Sequence, residues 1–434
     1  MESRTYTDRA GRWGHAFAAT WLIALAAVPV ESATRPSGQT RPSPPRLKAY
    51  PTRYYVLRSD LDANTVREAA ARMTAMAEEY HRRTRGFAGV IRKRLPFYLF
   101  SRRKDYYAAG GTPGSAGVYV SGRRVLMAVA PFGGDENLWH TVRHEGFHQF
   151  ADLVIGGDLP IWVNEGLAEY FGEGVWTGDA ILTGAIPPYR LKRVQEHLRK
   201  GRILPFEEML SLGREDWHDD LRDSYRASVG RPTSGPAGEQ RPRREREPTQ
   251  ARVNYDQVWS MVHFLVHAED GRYRKGFSDM IRDISRGRKW RDSFRRRFGG
   301  DVGAFEQRYR DWWLARKPNA TAELYVRAVV QTLTSFLARA VARGQTFRDA
   351  EDFLRSARHG ELKCPKGQWL PPRLLNDALL HARNWRRGWS LDTSGRVPKL
   401  VLQWGSEKTF TGTFTHARGR ADHVKVTVSP GRAK

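Results

Sequence analysis

His140-Thr-Val-Arg-His144-Glu145-Gly-Phe-His148-Gln-Phe150 decides how this chain is read. The core of it is H-E-x-x-H. On a helix, positions i and i+4 lie on one face, so His144 and His148 can both reach a single Zn²⁺. Glu145 is then turned toward the open position of such an ion, where its carboxylate can take a proton from water. With 13 His in 434 residues, chance supplies this pattern on the order of 0.02 times. The flanking sequence supports a helix: apolar residues recur at helical spacing from Asp135 to about Ile155.

Downstream runs Leu159-Pro-Ile-Trp162-Val-Asn164-Glu165-Gly166-Leu-Ala168-Glu169-Tyr170. Pro160 opens a second helix, which stops at Gly172 and Gly174. Two His need a third protein ligand, and the carboxylate of Glu165 suits that role. Glu169, one turn later on the same face, can accept a hydrogen bond from the free ring nitrogen of a ligand His. Without the preceding motif, both would read as solvated helix carboxylates. Gly156 and Gly157 turn the chain between the two helices.

H-E-x-x-H followed by W-x-N-E-G-x-A-E-Y resembles the gluzincin metallopeptidases, the group of thermolysin and aminopeptidase N. The closest resemblance is to a secreted gluzincin-like domain family with H-E-x-x-H and L-P-x-W-x-x-E-G-x-A-E-Y, and it covers roughly residues 50–316. It implies zinc ligands at His144, His148 and Glu165, a general base at Glu145, and a supporting acid at Glu169. Tyr255, in Val253-Asn-Tyr-Asp-Gln-Val-Trp259, occupies a place similar to that of the tyrosine that supports the tetrahedral oxyanion in the aminopeptidase-like members; packing against Trp259 is the alternative. The gap from His148 to Glu165 is slightly shorter than in the aminopeptidases. Their G-x-M-E-N motif, which holds a substrate's free amine, is absent: the strand before the zinc helix reads Arg124-Val-Leu-Met-Ala-Val-Ala130. Aminopeptidase specificity therefore does not carry over. In the resembled families an edge strand pairs with an extended peptide, and residues 125–130 are the candidate here.

Composition sets the outer bounds. A chain of 434 residues has room for two or three domains, and 40% hydrophobic residues supply real cores. The single cysteine, Cys364, excludes an intrachain disulfide framework and a cysteine-rich zinc site. Lys and Arg number 73 against 47 Asp and Glu, a net charge of +26. That surplus attracts polyanions. Ala16–Val30 is apolar behind Arg9 and Arg12, and too short for a membrane span of roughly 20 residues, so residues 1–32 read as a signal peptide or N-terminal anchor. Residues 33–49 read as a Pro/Ser/Arg-rich spacer.

The expected fold is α+β: a gluzincin-like catalytic domain over 50–317, with a mixed sheet, the H-E-x-x-H helix and a helical lobe, then a small C-terminal α+β module over 318–434. Strands are expected at 54–57, 89–100 and 116–130, and helices at 64–83, 187–200, 254–269, 272–284 and 302–316. Residues 230–252 (GRPTSGPAGEQRPRREREPTQAR) offer no apolar face, and read as a disordered basic insertion. The C-terminal module should hold helices at 322–343, 346–357 and 374–383, then strands at 399–404, 409–416 and 423–428. Trp385, Trp389 and Trp404 could form a ligand platform, though core packing is the simpler role. His140 lies one turn before His144 on the same side and could line the pocket, though a core histidine is the simpler role; His263 and His267 read as core histidines, because no acidic ligand follows them at a suitable spacing.

These readings imply a secreted or envelope-associated zinc peptidase acting on a peptide or protein substrate, with Zn²⁺ as cofactor. An anionic glycan or membrane surface is a further partner, and nucleic acid is not expected. Two other readings use the same residues. One is a peptidase-fold protein without turnover that binds polyanions or envelope components. The other is a zinc hydrolase of a non-peptide amide.

Overall fold

The computed structural model describes residues 46–131, 134–156, 159–229 and 247–431, with the backbone alone over 222–229. The expected signal segment, most of the expected spacer, Gly157 and residues 230–246 of the expected insertion lie outside the described residues. The fold is mixed α+β.

Strands β1 (Lys48–Pro51) and β2 (Tyr55–Ser59) form a hairpin, so the folded chain begins inside the expected spacer. Helix α1 (Ala63–Thr84) starts where Asp62 accepts from the backbone N–H of Asn64 and Thr65. It carries the chain back to β3 (Leu95–Phe100), parallel to β2. After α2 (Arg103–Ala108) come β4 (Gly117–Val120) and β5 (Val125–Val129). The sheet order is β1-β2-β3-β5-β4, with β5 parallel to β3 and β4 antiparallel to β5. Residues 89–94, expected as strand, are not.

Alternation along β5 sorts the two faces. Leu126 and Ala128 join the main core under α1, whereas Val125, Met127 and Val129 pack with Tyr106 of α2 and Val118. The sheet corrects one expectation. Residues 125–130 do not form an edge: β5 lies between β3 and β4, and the edge strands are β1 and β4.

Helix α3 (Glu136–Phe150) is capped by Asp135, whose carboxylate accepts from the Leu138 N–H at 2.9 Å. It lies against β4 and β5 and ends in a π turn over Ala151–Ile155. Helix α4 (Ile161–Gly172) packs on α3. A short hairpin, β6 (Val175–Trp176) with β7 (Ile181–Leu182), precedes α5 (Pro188–Arg199), α6 (Phe206–Ser211) and α7 (Arg214–Val229). Helix α8 (Gln250–His267) is capped by Thr249, so the expected insertion ends before Gln250 rather than at Arg252. It is followed by α9 (Arg274–Ser285), α10 (Trp290–Phe298) and α11 (Val302–Leu314).

The C-terminal part holds α12 (Ala322–Ala342), α13 (Ala350–Arg358) and α14 (Pro372–Ala382). Four antiparallel strands follow: β8 (Trp389–Asp392), β9 (Lys399–Trp404), β10 (Lys408–Ala417) and β11 (Arg420–Pro430), in the order β11-β10-β9-β8. Helix α12 lies across this sheet so closely that a Cβ at Gly412 would overlap Thr334. Trp385, Trp389 and Trp404 are partly buried against this core. The module is tied to the rest of the chain: Arg339 pairs with Asp179 at 2.6 Å, and Arg373 donates to the Gly134 carbonyl at 2.8 Å. Among the described residues no helix is long and apolar enough to cross a membrane.

Candidate metal centre

Helices α3 and α4 bring His144, His148 and Glu165 together. The two Nε2 atoms are 3.1 Å apart, and each is 3.5 Å from Glu165 Oε2. A tetrahedral zinc with ligands at about 2.0–2.1 Å sets its ligand atoms about 3.3 Å apart. The three edges therefore fit one ion. Glu165 Oε2 is also buried without a hydrogen-bond partner, an orphan that a cation would satisfy. Among the described residues this is the one group of three His, Cys, Asp or Glu side chains whose ligand atoms converge in this way. The His144 and His148 side chains keep 12% and 16% exposure, enough to be reached from solvent.

The far side of each ring is held. His144 Nδ1 lies 3.0 Å from Glu169 Oε1, and His148 Nδ1 is 3.3 Å from Asn164 Oδ1. Donation at both Nδ1 positions leaves each Nε2 lone pair free toward Glu165. Burial opposes charge on His144, but the Glu165 and Glu169 carboxylates that face its two ring nitrogens outweigh this and hold its pKa well above the ordinary value. Burial likewise opposes charge on Glu169, yet Arg190 and His144 pull its carboxyl down to about 2.

Arg190 is one residue that the sequence does not announce. It is buried on α5 and donates to Glu169 and to Glu173, the latter at 2.7 Å. Its Nε lies 3.4 Å from Asp256, and its guanidinium stacks over Trp259 at 4.5 Å. Asp256 is held in turn by Arg193 at 2.6 Å and His197 at 3.2 Å. One signal was available. Arg190, Val194 and His197 fall on one stripe of α5, so an arginine occupies a core position.

Glu145 faces the β4 edge. Its Oε2 accepts the Tyr119 N–H at 2.9 Å. That N–H points away from β5, so the free edge of the sheet borders the site. Burial raises the Glu145 pKa, against the pull of His144 and His148. Tyr255 sits on α8 with its ring 6.2 Å from His144 and 5.0 Å from Trp217. Burial, and then Glu165 and Glu169, push its pKa well up, so the phenol stays a donor. The site thus assembles His144, His148, Glu165, Glu169, Glu145 and Tyr255. Trp217, the neighbour of Tyr255, and the Tyr119 backbone were not foreseen.

The glycines of both motifs have packing roles. A Cβ at Gly146 would meet Met76 at 2.8 Å, and one at Gly166 would meet the Val258 carbonyl oxygen at 2.7 Å. Of the three other candidate histidines, His140 and His263 are buried core residues and His267 is partly buried beside them. His140 is buried, with Nε2 3.6 Å from Glu173. His263 Nε2 is 3.1 Å from the Gly184 carbonyl, and His267 Nε2 is 2.8 Å from the Tyr170 hydroxyl. No protein-family model matches the chain, and no curated protein matches it.

Proposed function

We propose that this chain is a secreted or envelope-associated zinc peptidase of gluzincin type. The observation that carries the reading is the His144–His148–Glu165 triangle, with edges of 3.1, 3.5 and 3.5 Å, next to a buried glutamate that holds none of its corners. His144, His148 and Glu165 would hold Zn²⁺, which when bound polarises a scissile carbonyl and acidifies water.

The chain's own groups supply the rest. Glu145 accepts the proton of the attacking water and delivers it to the leaving amine. Tyr255 donates its phenol O–H to the oxyanion, a charge that appears only in the transition state. An extended substrate pairs with the outer edge of β4, next to Glu145. Glu169 and Asn164 keep the two imidazoles turned toward Glu165.

The test is Glu145→Gln, which keeps size and hydrogen bonding but removes the base. The variant should keep the fold and stoichiometric zinc while turnover of a peptide mixture falls by about 10²–10⁴-fold. Equal activity of wild type and variant, or no hydrolysis by a zinc-loaded wild type across peptide and glycopeptide mixtures, would refute the reading.

A further inference from the structure

The net charge of +26 is unevenly spread. Between Arg272 and Arg297, eleven Lys and Arg face three Asp, a net +8. This segment is the hairpin of α9 and α10. Two of its carboxylates, Asp279 and Asp283, are each only 7% exposed. Asp279 gathers Lys275 at 2.8 Å, Arg297 at 3.4 Å and Arg282. Asp283 gathers Arg288 at 3.6 Å, Arg296 at 3.5 Å and Arg297 at 3.3 Å, and accepts from Ser293 at 2.9 Å.

Five cations thus share two nearly buried carboxylates. The pairs lie beneath the surface and the charge surplus lies on it: the Lys275, Arg288 and Arg296 side chains are 87%, 53% and 46% exposed. Each guanidinium has five N–H donors and uses few of them here, so donors remain for an external anion. Clustering on fixed carboxylates lowers the entropy that these side chains lose on binding. This distinguishes the patch from a run of independent surface arginines.

We propose that the α9–α10 hairpin is a docking face for an acidic polysaccharide carrying sulfate, phosphate or carboxylate groups. Among the described residues the exposed large apolar side chains are Val90, Leu314, Leu380 and Val428, none of them on the hairpin, so the patch has no wedge for a bilayer. The Trp290 ring already carries the Arg291 guanidinium at 4.4 Å, which takes a face that a single-stranded base would need. What remains is a dense cluster of forked donors suited to oxyanions along a flexible sugar chain.

Heparin serves as the probe, titrated at several salt concentrations. The triple variant Arg288→Ala, Arg296→Ala, Arg297→Ala is compared with Arg343→Ala, Arg386→Ala, Arg420→Ala, which removes the same charge from exposed positions elsewhere. The hairpin variant should lose at least about tenfold in affinity at moderate salt, and its slope of log K against log salt should fall by about 2–3. The control should change by less than about 1 in slope. Equal losses in both would mean diffuse charge and overturn the proposal. Duplex DNA and anionic vesicles are run alongside: tighter binding of either, with the same dependence on the hairpin, assigns another occupant and also overturns it. Thermal melting checks both variants. If the triple variant is unfolded, Arg288→Glu, in the connecting loop, is compared with Arg386→Glu under the same criteria.

Discussion

Arg190 and Glu169 form a buried ion pair directly behind His144: the guanidinium donates to one Glu169 oxygen while the other faces His144 Nδ1 at 3.0 Å. The same guanidinium reaches Glu173 and Asp256, so one cation serves three buried carboxylates. Replacing Arg190 by Met keeps much of its volume but leaves those charges without their shared partner. The loss should be about 3–5 kcal/mol in urea unfolding. Arg190→Lys should restore little of it, because one ammonium cannot span three carboxylates as the fork does. A cost below about 1 kcal/mol for Arg190→Met would show that the carboxylates find other partners.

Metal content distinguishes corner from support. One Zn²⁺ per chain is expected. Glu165→Ala removes a corner of the triangle and should abolish stoichiometric binding. Glu169→Ala removes only the acceptor at His144 Nδ1, and should weaken affinity by about 10–100-fold while the fold persists. Competition against a chelator of known affinity reads both. Full zinc retention by Glu165→Ala would break the assignment.

The convergence of His144, His148 and Glu165 was legible in the sequence because helical geometry fixes it: i and i+4 determine which way His144 and His148 point, and Glu165 and Glu169 follow by the same rule. The support from α5 was not, because nothing local says which helix a buried arginine will meet. The edge strand was misassigned for a related reason. Residues 125–130 are the more apolar strand, and they are apolar because both their faces and both their edges are covered. The shorter β4 has one edge open and borders the site through the Tyr119 N–H. Helices α6, α7 and α10 went unread because they are short or densely charged, and tertiary contacts such as Trp217 on Tyr255 hold them in place.

Gly166 tests the contact between α4 and α8. The bare backbone at this position lets the helix bearing Glu165 approach the one bearing Tyr255; a Cβ would sit 2.6 Å from Val262 Cγ2 and 2.7 Å from the Val258 carbonyl oxygen. The backbone contact cannot be relieved by turning a side chain, so the helices must separate. Gly166→Ala should cost about 1–3 kcal/mol by overpacking, despite the better helix propensity of Ala. A stabilised variant would mean that the two helices have slack.

The last prediction concerns acid. His263 is buried among Trp259, Trp312 and Trp313, and His267 lies beside it with ring centroids 4.6 Å apart. Burial lowers both pKa values, and Arg83 adds to the effect: His263 falls to about 4 and His267 to about 2. The unfolded chain protonates each ring near pH 6.5, whereas the folded chain leaves them neutral until those lower values. Between the two limits the unfolded state binds more protons, so this contribution to stability shrinks as pH falls. From about pH 7 to about pH 5 each ring should remove about 2 kcal/mol. Carboxylates such as Asp256, held down to about 2, contribute mainly below that window. Comparing wild type with His263→Gln cancels the titrations they share, including those of His144 and His148. The variant should lose about 2 kcal/mol less than wild type over the interval, read from urea midpoints at fixed m-value. Parallel curves would mean that His263 is already charged in the folded protein, or reaches water when the pH drops.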